Sequence, residues 1–280
     1  MFFNRKGRKG CRVVRSPSMG RILDGRPSLP IGLLTLVLTV SFSPAQTNRI
    51  QERLENAAQL IRDHQTAEAE QQLNNILKLA PNNPAALNLL GTVRAQQGRL
   101  NEAENLLIRA ARIDPTFVSV HMNLAFLYLL KNDPTRTISE LKEVVKLEPN
   151  NIEANYKLAR LLLSRGLIDD AISVSEKAKS IPSASEIFLT LLGEAYLRKG
   201  SADKAEANYL LALATQKDNM DAILGVTRVS QSRGDIKAAL AYLSQAQELA
   251  GNSPESLYKV GVTALTLGFF EQAHRHWSKL

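Results

Sequence analysis

Between Pro84 and Pro115 the apolar positions fall on two helical stripes. Leu87, Leu90 and Gly91 share one face of a first helix, Gly98 breaks it, and Ala103, Leu107 and Ala110 line one face of a second. Pro115 then closes the unit.

The same pattern recurs along the chain at a spacing of 34 residues. Copies begin at Ile50, Pro84, Val118, Ile152, Glu186, Met220 and Pro254, with no insertion between them. The eighth position of each copy is small: Ala57, Gly91, Ala125, Ala159, Gly193, Thr227 and Gly261. So is the twentieth: Ala69, Ala103, Thr137, Ala171, Ala205, Ala239 and Ala273. Small residues at both places let the two helix backbones of a unit approach closely. The seventh position is apolar from Leu90 onward, after Asn56 in the first copy. The fifteenth reads His64, Gly98, Asn132, Gly166, Gly200, Gly234 and Gly268, residues that mostly tolerate the left-handed conformation ending a helix. Pro81, Pro115 and Pro149 close the first three units, and Pro182 closes the fourth one residue early; Lys217 and Gly251 depart from the pattern.

Leu90-Gly91, then Ala103-x-x-x-Leu107, then Pro115, at this period, resembles the tetratricopeptide repeat (TPR). The aromatic positions of that family are replaced: Leu87 stands where Trp is usual, Arg94 where Tyr is usual and Leu107 where Phe is usual. The resemblance runs from Ile50 to Leu280. It implies an all-α fold, an α-solenoid of about seven helix–turn–helix units coiling as a right-handed superhelix. One unit cannot bury its apolar face alone, so the copies stack on one another. The domain plan is a targeting segment over 1–45 and a repeat domain over 46–280, joined through the short polar stretch Gln46-Thr47-Asn48. Arg53 and Asn56 give the first unit a more polar face, as a terminal unit needs for solubility. Asp133 and Pro134 mark the start of the third second-helix, and Ser201 and Asp235 occupy the equivalent cap position in later units. In the last unit Phe269, Phe270, Ala273 and Trp277 form the expected apolar stripe, and the period stops seven residues short. A shortened gene product, an exposed apolar end and a docking end all fit that pattern.

The leader changes how composition is read. Residues 1–45 carry eight basic side chains and one acid, Asp24, ahead of an apolar run from Ile31 to Phe42 and Ser43-Pro44-Ala45. That order is the order of a secretory signal, with cleavage before Gln46. The apolar run has 12 residues, short of the span of about 20 that crosses a bilayer. An uncleaved anchor stays open, since Leu29 and Pro30 extend the run, and so does a start at Met19. The expected location is periplasmic or secreted, with the inner membrane as the alternative. The whole chain has 35 Lys+Arg and 27 Asp+Glu, a net +8; without the leader the balance is 27 to 26, a net +1. The basic character therefore belongs to targeting, and no nucleic-acid partner is expected. Cys11, the only cysteine, also lies in the leader.

No nucleophile elbow, phosphate-binding glycine loop or metal-ligand spacing occurs. His274 and His276 are two apart on a helix and point to different sides, and His121 reads as a packed or groove residue. Asp169, Asp170, Glu102 and Glu104 lie near the starts of second helices, where acids complement the helix dipole. No catalytic residue, cofactor, metal or small-molecule substrate is expected; the partner is a protein or peptide.

The TPR resemblance implies that first helices line a concave groove, with positions two, five, nine and thirteen facing a ligand. That gathers Met122, Phe126, Leu130 and Tyr156, with Arg160 beside them, bordered by Asn88 and Thr92 on one side and Ile187 and Glu194 on the other. Exposed Met and aromatic side chains there favour an apolar partner segment; the same side chains could also simply pack between neighbouring helices. The family's carboxylate clamp is not expected, since Glu153 stands where a base is required beside Asn123 and Lys157. An asparagine ladder is likewise missing, because Asn88, Asn123 and Asn155 fall at three different phases.

Overall fold

The computed structural model describes residues 44–277, and side chains from 48 to 274. Residues 1–43 and Trp277's side chain lie outside this range. Among the described residues every regular element is a helix, and the helices alternate as first and second members of seven units. The first helices are α1 (Pro44–Arg62), α3 (Pro84–Gln96), α5 (Val118–Leu130), α7 (Ile152–Ser164), α9 (Ser185–Arg198), α11 (Met220–Ser232) and α13 (Pro254–Thr266). The second helices are α2 (Thr66–Leu79), α4 (Leu100–Ile113), α6 (Pro134–Leu147), α8 (Ile168–Ala178), α10 (Ala202–Thr215), α12 (Ile236–Ala250) and α14 (Phe270–Trp277). All seven second helices start on the 34-residue period. Five of the first helices do; α9 begins one residue early, and α1 reaches back to Pro44.

That extension corrects one expectation: Gln46-Thr47-Asn48 is helix, not linker. None of the described helices is long and apolar enough to cross a membrane.

The small positions have the predicted role. The eighth- and twentieth-position residues are buried in every unit. A methyl group added to Gly91 would lie 2.8 Å from Leu107 Cγ, inside normal contact. The turn within each unit is also constant. The fifteenth residue has positive φ in all seven units, including the non-glycines His64 (59°) and Asn132 (54°). The next residue donates its N–H to the carbonyl five back, as in Arg99 N to Arg94 O (2.9 Å) and Asp133 N to Tyr128 O (2.8 Å). This closure satisfies a carbonyl that the helix end would otherwise leave bare.

Caps punctuate the array. The side chains of Asn83, Asp133, Asn151, Asn219, Asp235 and Ser253 each accept a backbone N–H from the first turn that follows. Ser201 sits at the cap of α10 but makes no side-chain cap bond, contrary to its expected role. In α8 the helix stops at Ala178, and Ser183 takes φ 65° on the way to α9. Pro182, one residue early, disfavours helix at Ile181 and helps to end it.

Successive units stack through second helix on next first helix, and successive first helices also approach one another (α1 with α3, α3 with α5, α7 with α9, α9 with α11, α11 with α13). Successive second helices do not pack in this way. The array therefore curves with its first helices inside. This is the α-solenoid expected from the sequence.

Candidate functional site

On the inner side, α7, α9, α11 and α13 enclose an open hollow of about 800 Å³. Its lining follows the repeat register. Fifth-position residues Tyr156, Thr190, Leu224 and Tyr258 form one row, and ninth-position residues Arg160, Glu194, Arg228 and Val262 form a second. Glu186, Ile187 and Asp221, at the N-terminal ends of α9 and α11, make an edge. The floor includes one residue from a second helix, Tyr209 of α10.

A charged network lies at that floor. Glu194 pairs with Arg228 (2.7 Å) and with Arg198 one turn along α9 (2.7 Å). Burial works to raise the Glu194 pKa, but the Arg228 charge and the Arg198 hydrogen bond outweigh it, so the carboxyl sits below its ordinary value. Tyr209 is fully buried, its hydroxyl 3.4 Å from Glu194 Oε2 and 3.5 Å from Arg228 Nη2. Burial pushes its phenol well above the usual range, so the hydroxyl stays protonated. Glu186 accepts a hydrogen bond from Asn219 (2.7 Å), and Lys259 reaches Asp221 (3.4 Å) and Glu255 (3.5 Å). Arg160 donates to the Tyr156 hydroxyl (3.2 Å), stacks over its ring at 5.5 Å and makes no ion pair among the described residues.

Of the groove residues read from the sequence, Tyr156, Arg160, Ile187 and Glu194 come together in this hollow. Phe126 and Leu130 are exposed, at 54% and 50%, one unit further toward the N-terminus and outside the hollow itself. Met122 is half-buried against the core cluster that contains Leu141, Leu158 and Leu162, which is the packing role. Asn88 is buried; its Oδ1 accepts from Asn123 Nδ2 (2.8 Å), which also donates to Thr92 Oγ1 (3.2 Å). These three side chains satisfy one another rather than standing open. Lys157, a residue of the rejected clamp, is held by Glu153 at 2.6 Å. His121 is buried between Glu140 (2.7 Å) and the Pro115 carbonyl (3.0 Å).

Two other expectations need correction. Phe270 is 68% exposed and lies off the apolar stripe, which runs through Phe269 and Ala273. Glu104, read as a dipole complement, bridges to the next unit through Lys131 and Arg136. Asp169 lies in the first turn of α8, as expected of a dipole acid, and also reaches Lys199 (2.6 Å). The hollow lies one unit beyond the centre expected from the sequence and also takes in Leu224, Arg228 and Tyr258, which occupy the same fifth and ninth positions. Tyr209 carried no such signal, because it lies on a second helix.

Residues 60–125 and 128–181 match the tetratricopeptide repeat family model. Over those residues the chain carries tetratricopeptide repeats, and its fold is that of the solved TPR solenoids. It is 24% identical over 196 residues to cellulose synthase operon protein C of Pseudomonas fluorescens, covering 66% of this chain and 15% of that protein. Across the curated relatives it matches, the aligned part spans 13–20% of their lengths. Among solved structures it is similar to a tetratricopeptide repeat protein from Parabacteroides merdae (TM-score 0.60, 17% identity, covering 83% of this chain and 92% of that one). It is also similar to YrrB, described as a TPR protein with an unusual peptide-binding site (TM-score 0.52, 21% identity, covering 63% of this chain and 95% of that one).

Proposed function

We propose that this chain is a non-enzymatic scaffold that holds a segment of a partner protein on its inner surface. The observation that carries the reading is the hollow across α7–α13, whose lining combines exposed Ile187 and Tyr258 with Arg160. Open apolar and aromatic side chains flanked by charge are the composition of a peptide-binding surface. The likeness to YrrB supports it as an analogy of fold. The test places a photo-crosslinking amino acid at Ile187 or Tyr258 in the full chain. Adducts at those positions, with none from Leu211, which is exposed on the second helix α10, are expected; adducts from Leu211 alone would reject the groove.

We also propose export, on the order of basic, apolar and small residues before Gln46. Mass spectrometry of the envelope protein should find Gln46 as its first residue. An intact leader in the membrane fraction would replace this with an anchored scaffold for envelope or polysaccharide assembly, the reading that the likeness to cellulose synthase operon protein C favours. A role as the repeat part of a longer enzyme fits the same relative's greater length, and sequencing of the intact transcript tests it.

A further inference from the structure

The hollow is lined by three cationic side chains, and two of them are already neutralised. Arg228 is held by Glu194 at 2.7 Å, and Lys259 lies near Asp221 and Glu255. Arg160 is different. Its only polar partner is the Tyr156 hydroxyl, and the same ring lies under the guanidinium, so the side chain is oriented but its charge is unanswered among the described residues. A guanidinium fixed in this way loses little freedom when a carboxylate arrives, which favours an anionic ligand group there.

The surroundings narrow the ligand further. Arg160's helix, α7, stands between α5, which exposes Phe126 and Leu130, and α9, which exposes Ile187; Tyr258, also exposed, stands further along the hollow on α13. Apolar surface therefore continues in both directions from the charge. Resting on the groove reading above, we propose that the occupant is an internal stretch of a partner protein. It carries an Asp or Glu side chain on Arg160 with apolar side chains on either side. A chain terminus engages apolar surface on one side only, so the two-sided arrangement favours an internal residue.

The test is selection of random peptides, displayed with fixed flanking sequence, on the full-length protein. The enriched peptides are then synthesised with amidated C-termini. Enrichment of an acidic residue beside aliphatic or aromatic ones is expected, with affinity lost about tenfold or more in Arg160→Ala. Arg160→Glu should shift enrichment toward Lys and Arg. Arg160 is exposed, so neither change disturbs the core, and unchanged circular dichroism verifies this. Peptides that crosslink at Ile187 yet show no acidic preference and no loss in Arg160→Ala would overturn the carboxylate assignment and leave the groove standing. Binding that requires a free C-terminus would overturn the internal-segment assignment. If no peptide is enriched at all, both this inference and the groove reading fail.

Discussion

Gly225 lies against the ring of Tyr209 so closely that a Cβ added to it would meet Cε1 at 2.3 Å. Gly193 presses on the same ring from within Tyr209's own unit, with a Cβ at 2.5 Å. Tyr209 occupies the twenty-fourth position of its unit, where four other units have leucine: Leu73, Leu107, Leu141 and Leu243. The larger ring therefore fits only because the facing residue in the next unit has no side chain. Gly225→Ala should destabilise by about 1–3 kcal/mol or more through overpacking. In Tyr209→Leu the same Gly225→Ala should cost much less. A double-mutant cycle by urea unfolding measures the coupling, and additive effects would show that the ring and the glycine do not constrain each other.

Arg94 is held on one side by Glu70, whose Oε1 accepts from its Nη2 at 2.7 Å while Oε2 accepts from Gln97 at 3.0 Å. The Arg94 hydrogen bond, with that from Gln97, lowers the Glu70 pKa to about 2 from an ordinary 4.5. A depressed carboxyl stabilises the folded state fully above the unfolded value, and that contribution fades as pH falls from about 4.5 toward 2. Glu70→Gln should cost about 1–3 kcal/mol at neutral pH, because it leaves a nearly buried guanidinium short of a partner. The gap between wild type and variant should close as acid is added over that window; a gap constant from pH 7 to pH 2 would contradict the assignment.

Carboxylates on one second helix meet bases at the end of the next first helix at several junctions, but not with equal strength. Glu104 is 15% exposed and holds both Lys131 and Arg136, whereas Asp169 is 81% exposed and holds Lys199 alone. Glu104→Gln should therefore lower stability by about 2 kcal/mol, and Asp169→Asn by less than about 0.5 kcal/mol. Raising salt should leave the first effect largely intact. Equal losses in chemical denaturation would refute the ranking.

Ser175 also occupies a twenty-fourth position, is fully buried, and its hydroxyl has no protein hydrogen-bond partner. Removing that hydroxyl relieves a desolvated polar atom at little loss of volume. Ser175→Ala is expected to be neutral or stabilising by about 1 kcal/mol, seen as a raised Tm; a clear destabilisation would mean that the hydroxyl is bonded after all.

What was legible in the sequence is what each unit does within itself. Gly91 against Leu107, and the left-handed residue at His64 or Asn132, follow from one unit's geometry and recur with the period. Relations across units were harder to read. Asn88 sits at a ligand-facing position by register, yet Asn123 of the following unit covers it. Glu104 looked like a helix-dipole acid because Lys131 is distant in sequence. Tyr209 depends on Gly225, which lies two positions before the small eighth position of the next unit and so outside the repeating pattern. Phe270 was assigned to the stripe by its apolarity alone, whereas Phe269 and Ala273, four apart, share the buried face.

The left-handed turn repeated at the fifteenth residue of every unit also fixes the spacing of everything built on the first helices. Each fifth- and ninth-position side chain returns after the same 34 residues, since the longer connection after the short helix α8 leaves the period intact. The inner surface is thus quantised. Lengthening the array by a unit would add one further pair of fifth- and ninth-position side chains to it, and excising one would remove a pair without retuning those on either side.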